Sequence, residues 1–332
     1  MTDNPLAMLD DALRARRVSF DRIPVVDLAP LIDGSDPATV AREIREALSS
    51  AGFMYVKNHG LDHTLVDRTF EAAKTFFALP EEEKMALHIR HSGPALRGYI
   101  ELFGENTDPG KTLDLKECID LGPEAGLPAT PFFGPNPWPT QLPEFGPTVM
   151  AYHAHLLSLA QLVLQGIALS LDLPQTYFEA MMQRPISILR LLHYPPQTGT
   201  IDQSVIGIGA HTDYGNLTIL AQDDVGGLQV MNRDGHWVEA PPIPDTFVIN
   251  IGDLIQRLTN NRYLANLHRV VNTSGRERYS IPFFLDADFD AVIAPLPSCI
   301  DAKTPQAYDP VTCGAHKWTR FKASYAHLAE TV

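Results

Sequence analysis

The sequence predicts a mixed α and β chain: a β core of sandwich or barrel type with helices packed outside it. Three observations carry this reading. After Pro185 the chain becomes a series of short apolar runs separated by Gly, Pro, Asn and Asp, continuing to about residue 325. Short strands punctuated by turn residues are the mark of an all-β core. Ahead of them, Leu156, Ala160, Val163, Ile167 and Leu171 recur at three or four residues, which makes Pro147–Leu171 a long amphipathic helix. The N-terminal part reads instead as short strands alternating with capped helices.

In order, residues 1–20 form a polar arm of helical character, and Ile23-Pro24-Val25-Val26-Asp27-Leu28 is a first strand. Asp36-Pro37 supplies an N-cap and an N1 proline for a helix running to about Ser50. Val40, Ile44, Ala47 and Leu48 share one face of it, and Gly52 suits its C-terminal end. Phe53–Val56 is a strand; helices follow over Asp62–Phe77 and from Leu79-Pro80-Glu81. Residues 91–147 are rich in proline and glycine without periodicity, yet carry Tyr99, Phe103, Phe132, Phe133 and Trp138. They are expected to wrap a core rather than to be disordered. The eight core strands are expected at Ile186–Tyr194, Ser204–Asp213, Leu217–Ala221, Gly227–Met231, Trp237–Ala240, Phe247–Ile251, Leu264–Val271 and Arg278–Leu285. Residues 1–146 thus form a helical and loop region. Residues 147–332 hold the support helix and the β core, the two making one compact unit.

Bulk properties narrow the function. The 332 residues carry a formal charge of −14 with 45% apolar residues, a balance that suits small-molecule partners and disfavours nucleic acid or an anionic membrane surface. Cys118, Cys299 and Cys313 are scattered, so neither a zinc knuckle nor a disulfide framework is expected. No apolar leader or span is visible, and a cytoplasmic address is the expectation.

Chemistry enters at His211-Thr212-Asp213. On a strand, side chains alternate faces, so His211 and Asp213 project to one side. A further histidine would complete the two-histidine, one-carboxylate set of non-haem Fe(II) sites. With 12 histidines and 40 acidic residues, about one His-x-acid triplet is expected by chance, so the triplet alone decides little. Spacing leaves the third ligand open among His236, His268, His316 and His327. His236 reads as a hairpin-turn residue, His316 and His327 sit near the C-terminus, and His268 interrupts an apolar strand. His153 and His155 lie about 200° apart around a helix and cannot chelate together. Arg278 and Ser280 place a guanidinium fork and a hydroxyl on one strand face, a pair suited to a carboxylate.

Together with Gly52-Phe53 to His59-Gly60, Arg97-Gly98-Tyr99, Tyr194-Pro195-Pro196, Gly227–Val230, Asn250-Ile251-Gly252-Asp253, Thr259-Asn260 and His268-Arg269-Val270, these segments run nearly end to end. In that order they resemble the isopenicillin N synthase-like family of Fe(II)- and mostly 2-oxoglutarate-dependent oxygenases. The resemblance implies a double-stranded β-helix (jelly-roll) core with flanking helices, and His211, Asp213 and His268 as iron ligands. It implies that Arg278 and Ser280, helped by Tyr194, bind the distal carboxylate of 2-oxoglutarate. His59 belongs to a structural signature. The implied reaction is O₂-driven oxidation of a small molecule, by hydroxylation or desaturation, with succinate and CO₂ as coproducts and ascorbate as accessory reductant. One departure stands out: Leu192 occupies a position where many plant members carry asparagine. Placement nominates Arg97, Phe133, Arg190 and Phe283 as substrate contacts, with the Arg97–Glu105 and Lys111–Glu117 loops, and points to a small carboxylated or amino-acid-like substrate. The alternatives are an oxidase of the same family that dispenses with 2-oxoglutarate, and a catalytically silent ligand-binding jelly roll. A zinc hydrolase would lack a nominated general base.

Overall fold

A computed structural model describes residues 23–107, 112–124, 131–197, 201–202 and 204–324. The expected arm at 1–20, Lys111 and His327 lie outside them. The first elements are β1 (Val25–Asp27), α1 (Ala29–Ile32), α2 (Pro37–Ser50), β2 (Phe53–Lys57), α3 (His63–Phe77) and α4 (Glu81–Met85). They are followed by β3 (Gly98–Ile100), β4 (Leu113–Asp114), β5 (Glu117–Leu121) and α5 (Phe145–Ser170). The core continues with β6 (Pro185–Tyr194), β7 (Val205–Ile206), β8 (Ile208–His211), β9 (Leu217–Gln222), β10 (Leu228–Met231), β11 (Trp237–Glu239) and β12 (Phe247–Ile251). It closes with α6 (Asp253–Leu258), β13 (His268–Val270), β14 (Arg278–Asp288), β15 (Val292–Ile293), β16 (Val311–Thr312) and α7 (Cys313–Ser324).

Two sheets make the core. The larger has the order β1-β2-β12-β9-β14-β6-β5-β3, the smaller β11-β10-β13-β8. This is the jelly-roll architecture the sequence led one to expect, with helices outside. Asp36 caps α2 by accepting the Thr39 N–H at 3.1 Å, with Pro37 at the first turn. Asp62 caps α3 in the same way through Thr64. Along α5, Leu156, Ala160, Val163 and Ile167 are fully buried, and each large apolar side chain so placed contributes roughly 1.5–3 kcal/mol. His153 on that helix is buried against Ser187 Oγ at 3.0 Å. Burial, and secondarily the charge of Arg97, pushes its pKa down to about 4, so it is a neutral packing residue; His155 faces solvent.

Residues 91–147 differ from expectation in carrying strands: β3 and β5 extend the larger sheet beyond β6, and the short β4 pairs with β7. Glu117 and Asp120 hide this in the sequence, since charges rarely mark a buried strand. The structure pairs them. Glu117 takes Lys84 and His193 at 2.7 Å each and the Tyr99 hydroxyl at 2.5 Å, while Asp120 takes Arg190.

Gly52, just past α2, has φ +65°, and a Cβ there would lie 2.1 Å from the Leu264 carbonyl oxygen. A left-handed non-glycine residue costs about 1–3 kcal/mol before any clash. Gly52→Ala is therefore expected to lower the thermal midpoint clearly. An unchanged midpoint in a melt followed by circular dichroism would contradict this packing.

Candidate active site

β8 and β13 run antiparallel with His211 directly opposite His268, and their rings lie 4.2 Å apart. The expected strand Ser204–Asp213 is in fact two short strands bent at Gly207, ending at His211. Asp213 therefore does not sit on a strand. It belongs to a loop, Thr212–Asn216, whose backbone docks on the start of α6: the Asp253 N–H donates to the Asp213 carbonyl at 2.8 Å and the Leu254 N–H to that of Gly215 at 3.0 Å. The loop nevertheless brings the carboxylate to the histidines. Asp213 Oδ1 lies 3.8 Å from His211 Nε2 and 3.6 Å from His268 Nε2. One donor atom from each of the three falls within 4.8 Å of the others.

Each side chain is oriented from behind. His211 Nδ1 faces the Gly209 carbonyl at 2.8 Å and His268 Nδ1 that of Asn266 at 3.3 Å. A carbonyl only accepts, so Nδ1 carries the proton and Nε2 presents its lone pair inward. Asp213 Oδ2 accepts from Asn250 Nδ2 at 2.6 Å and from the Thr218 hydroxyl, which leaves Oδ1 toward the imidazoles. Burial, reinforced by neighbouring His211, lowers the His268 pKa to about 4. Burial works to raise Asp213, but His268, His211, Thr218 and Asn250 outweigh it and keep the carboxyl ionised. Two imidazole nitrogens beside an ionised carboxylate, with one side open to a cavity, are the donor set of a non-haem Fe(II) centre.

Two adjoining chambers open from this cluster and share Thr107, Arg190, His211, Asp213, Thr218 and Phe284. One reaches Tyr194, Arg278 and Ser280. Arg278 is fully buried, and its bonded partners among the described residues are all neutral: the Gly226 carbonyl, Ser280 Oγ and Gln222 Oε1. The Tyr194 ring lies 4.6 Å from the guanidinium carbon. Asp223, which feels that charge, commits its oxygens to the Tyr279 and Val225 N–H groups. A buried guanidinium held by neutral groups fits an incoming carboxylate. Leu192 adds an apolar wall here.

The second chamber runs to Tyr214, Asp286, Lys317 and Phe321. Arg190 lies between the two, bound to Asp120 through Nε and Nη2 and to Glu105 at 2.8 Å. Three nominated substrate contacts need correction. Arg97 is fully buried, donating to the Phe132 and Ser187 carbonyls. Phe133 is buried under Arg184. Phe283 faces α5, edge-on to His153 at 5.1 Å. None lines either chamber. Strand alternation explains the last: Arg278, Ser280, Pro282, Phe284 and Asp286 share the cavity face of β14, so Phe284 and Asp286 were legible and Phe283 was the wrong neighbour. Thr218 and Asn250 had a weaker signal, as polar residues within apolar strands. Lys317 had none, because α7 approaches from elsewhere in the chain.

Comparison with known proteins agrees with this geometry. Residues 23–141 match the family model for the N-terminal region of non-haem dioxygenases of morphine synthesis, and residues 185–287 match that of the 2OG-Fe(II) oxygenase superfamily. The chain belongs to this superfamily. Among relatives of this Fe(II)/2-oxoglutarate oxygenase, the 2-oxoglutarate-Fe(II) type oxidoreductase hxnY of Emericella nidulans is 39% identical, over 92% of this chain and 93% of the relative. A homoarginine-6-hydroxylase of Oryza sativa is 37% identical over 90% and 95%. A full-length Neurospora crassa protein, crystallised with α-ketoglutarate and thymine, superposes with a TM-score of 0.83 at 30% identity, covering 96% of this chain and all of that one. The chain is thus an Fe(II)- and 2-oxoglutarate-dependent oxygenase acting on small molecules.

Proposed function

We propose that this oxygenase hydroxylates a small polar nitrogen compound bearing both hydrogen-bond donors and acceptors, an amino-acid-like molecule or a heterocycle. In this reading His211, Asp213 and His268 hold the iron. Arg278 and Ser280, with Tyr194, hold the distal carboxylate of 2-oxoglutarate in the first chamber, and substrate occupies the second. The observation that carries it is the placement of the ligand cluster in the wall shared by two chambers with different linings. One ends in a buried, anion-seeking Arg278; the other is walled by the Arg190–Glu105 and Lys317–Asp286 pairs and by Phe284, Tyr214 and Phe321. The paired charges offer a compact substrate hydrogen-bond partners that fix its orientation, and the rings offer it an apolar face. Homoarginine 6-hydroxylation, for which the rice relative is named, and the thymine in the Neurospora crassa complex are of that kind.

When bound, iron with 2-oxoglutarate and O₂ supplies the oxidising power for a C–H bond, leaving succinate and CO₂. The residues do the rest. Asn250 and Thr218 hold Asp213, the backbone carbonyls hold the imidazoles, and the flanking apolar side chains limit water. The test is a screen of amino acids, homoarginine included, and pyrimidines, thymine included, for compounds that stimulate succinate release under Fe(II), ascorbate and O₂. At least one such compound should raise succinate release well above the substrate-free rate, with matching hydroxylated product. Stimulation by lipophilic compounds alone would overturn the reading.

A further inference from the structure

The C-terminal helix α7 reaches the Thr212–Asn216 loop through two acidic residues. Asp253 is the first: its Oδ1 accepts the Thr212 hydroxyl at 2.9 Å, while its Oδ2 lies 3.7 Å from His316 Nε2 and 3.6 Å from Arg320 Nη2. Asp286 is the second: its Oδ1 accepts the Asn216 N–H at 2.7 Å, and its Oδ2 is paired with Lys317. Between these anchors, Tyr214 donates or accepts at Ser324 Oγ at 2.6 Å and lies 4.4 Å beneath the Arg320 guanidinium carbon. The packing leaves no slack. A Cβ on Gly215 would lie 1.7 Å from Asp286 Oδ1, and one on Gly252 would lie 2.7 Å from the Asp213 carbonyl oxygen.

We infer that α7 is a positioning element for the metal centre: Lys317 and Arg320 hold Asp286 and Asp253, which in turn clamp both ends of the loop carrying Asp213. The physical reason lies in the loop itself. β8 ends at His211, so Asp213 has no sheet ladder to place it. The backbone bonds to α6 and these two carboxylates take the place of that ladder. Asp286 needs its cation, since a buried carboxylate without a partner moves or protonates; Asp253 is only part-buried, and its looser pairing with Arg320 adds less. Lys317 also lines the second chamber, so a molecule seated there contacts the same device. The inference rests on the assignment of Asp213 as a ligand.

The experiment is equilibrium titration of the metal-free full-length protein with Co(II) alone, requiring no substrate. Loss of outer-shell support costs about 10–100-fold in metal affinity. Lys317→Met is expected to weaken Co(II) binding about tenfold, with Lys317→Arg restoring much of it, and the exposed Arg320→Met to weaken it by less. Because Lys317→Met strands a buried carboxylate, Lys317→Met/Asp286→Asn serves as a second variant that removes both charges and keeps an acceptor for Asn216. It is expected to bind Co(II) better than Lys317→Met. Thermal midpoints of the metal-free proteins are measured alongside, since a merely structural role would lower the midpoint and leave affinity at low temperature unchanged. Wild-type Co(II) affinity in all of these variants would overturn the inference. If His211→Ala lost binding in the same assay, the ligand assignment would stand without it.

Discussion

His211→Ala is expected to bind Fe(II) more than 100-fold less tightly than the parent chain and to turn over at background. Outer-shell partners alone cost about 10–100-fold, and this substitution removes a donor atom. The fold should survive. The imidazole makes one backbone hydrogen bond, to the Gly209 carbonyl, worth roughly 1 kcal/mol net. The loss is therefore separable from unfolding: circular dichroism stays native while metal content after Fe(II) loading collapses. Full Fe(II) binding with normal succinate release in His211→Ala would sink the ligand assignment.

Arg278→Leu is expected to raise the 2-oxoglutarate concentration needed for half-maximal succinate release by about two to four decades. That is the equivalent of the roughly 3–5 kcal/mol lost when one partner of a buried charge pair is removed. The effect on stability is different. Without an anion, removing the buried guanidinium relieves its desolvation but takes a donor from the Gly226, Ser280 and Gln222 oxygens, two effects of opposite sign. The variant should melt near the parent in the absence of cosubstrate. Adding 2-oxoglutarate at 100 times its dissociation constant stabilises the parent by about 2.7 kcal/mol and should leave Arg278→Leu almost unmoved. An unaltered 2-oxoglutarate dependence would refute the role given to Arg278.

Much of this was legible in the chain, and the reasons are physical. Asp36-Pro37 and Asp62 announce helix starts because capping is local chemistry between residues two or three apart. The period of α5 announces its buried face. Arg278 and Ser280 were readable as a pair because strand alternation places alternate residues together, and the same rule read two steps further gives Pro282, Phe284 and Asp286. The errors have equally local causes. Arg97 was nominated as a substrate contact for its charge in a loop-like segment, but its guanidinium satisfies the carbonyls of Phe132 and Ser187. β5 was missed because Glu117 and Asp120 look like surface residues until Lys84, His193 and Arg190 are brought against them.

The class of chemistry is written in the chain: a His-x-Asp triplet, a histidine inside an apolar run and an Arg-x-Ser pair, set in an order that resembles one family. The folded molecule alone sets how Asp213 reaches the histidines, since that residue leaves the strand and is carried by a loop. It alone decided that Leu192 walls the first chamber, that Lys317 walls the second, and that Arg97, Phe133 and Phe283 face elsewhere. The division follows from range. Caps, periods and alternation act over a few residues and are written in the local sequence. Which side chain meets the 253–258 helix, or which buried carboxylate finds a cation from residues 313–324, depends on contacts between segments far apart in the chain, and those exist only once the sheets have closed.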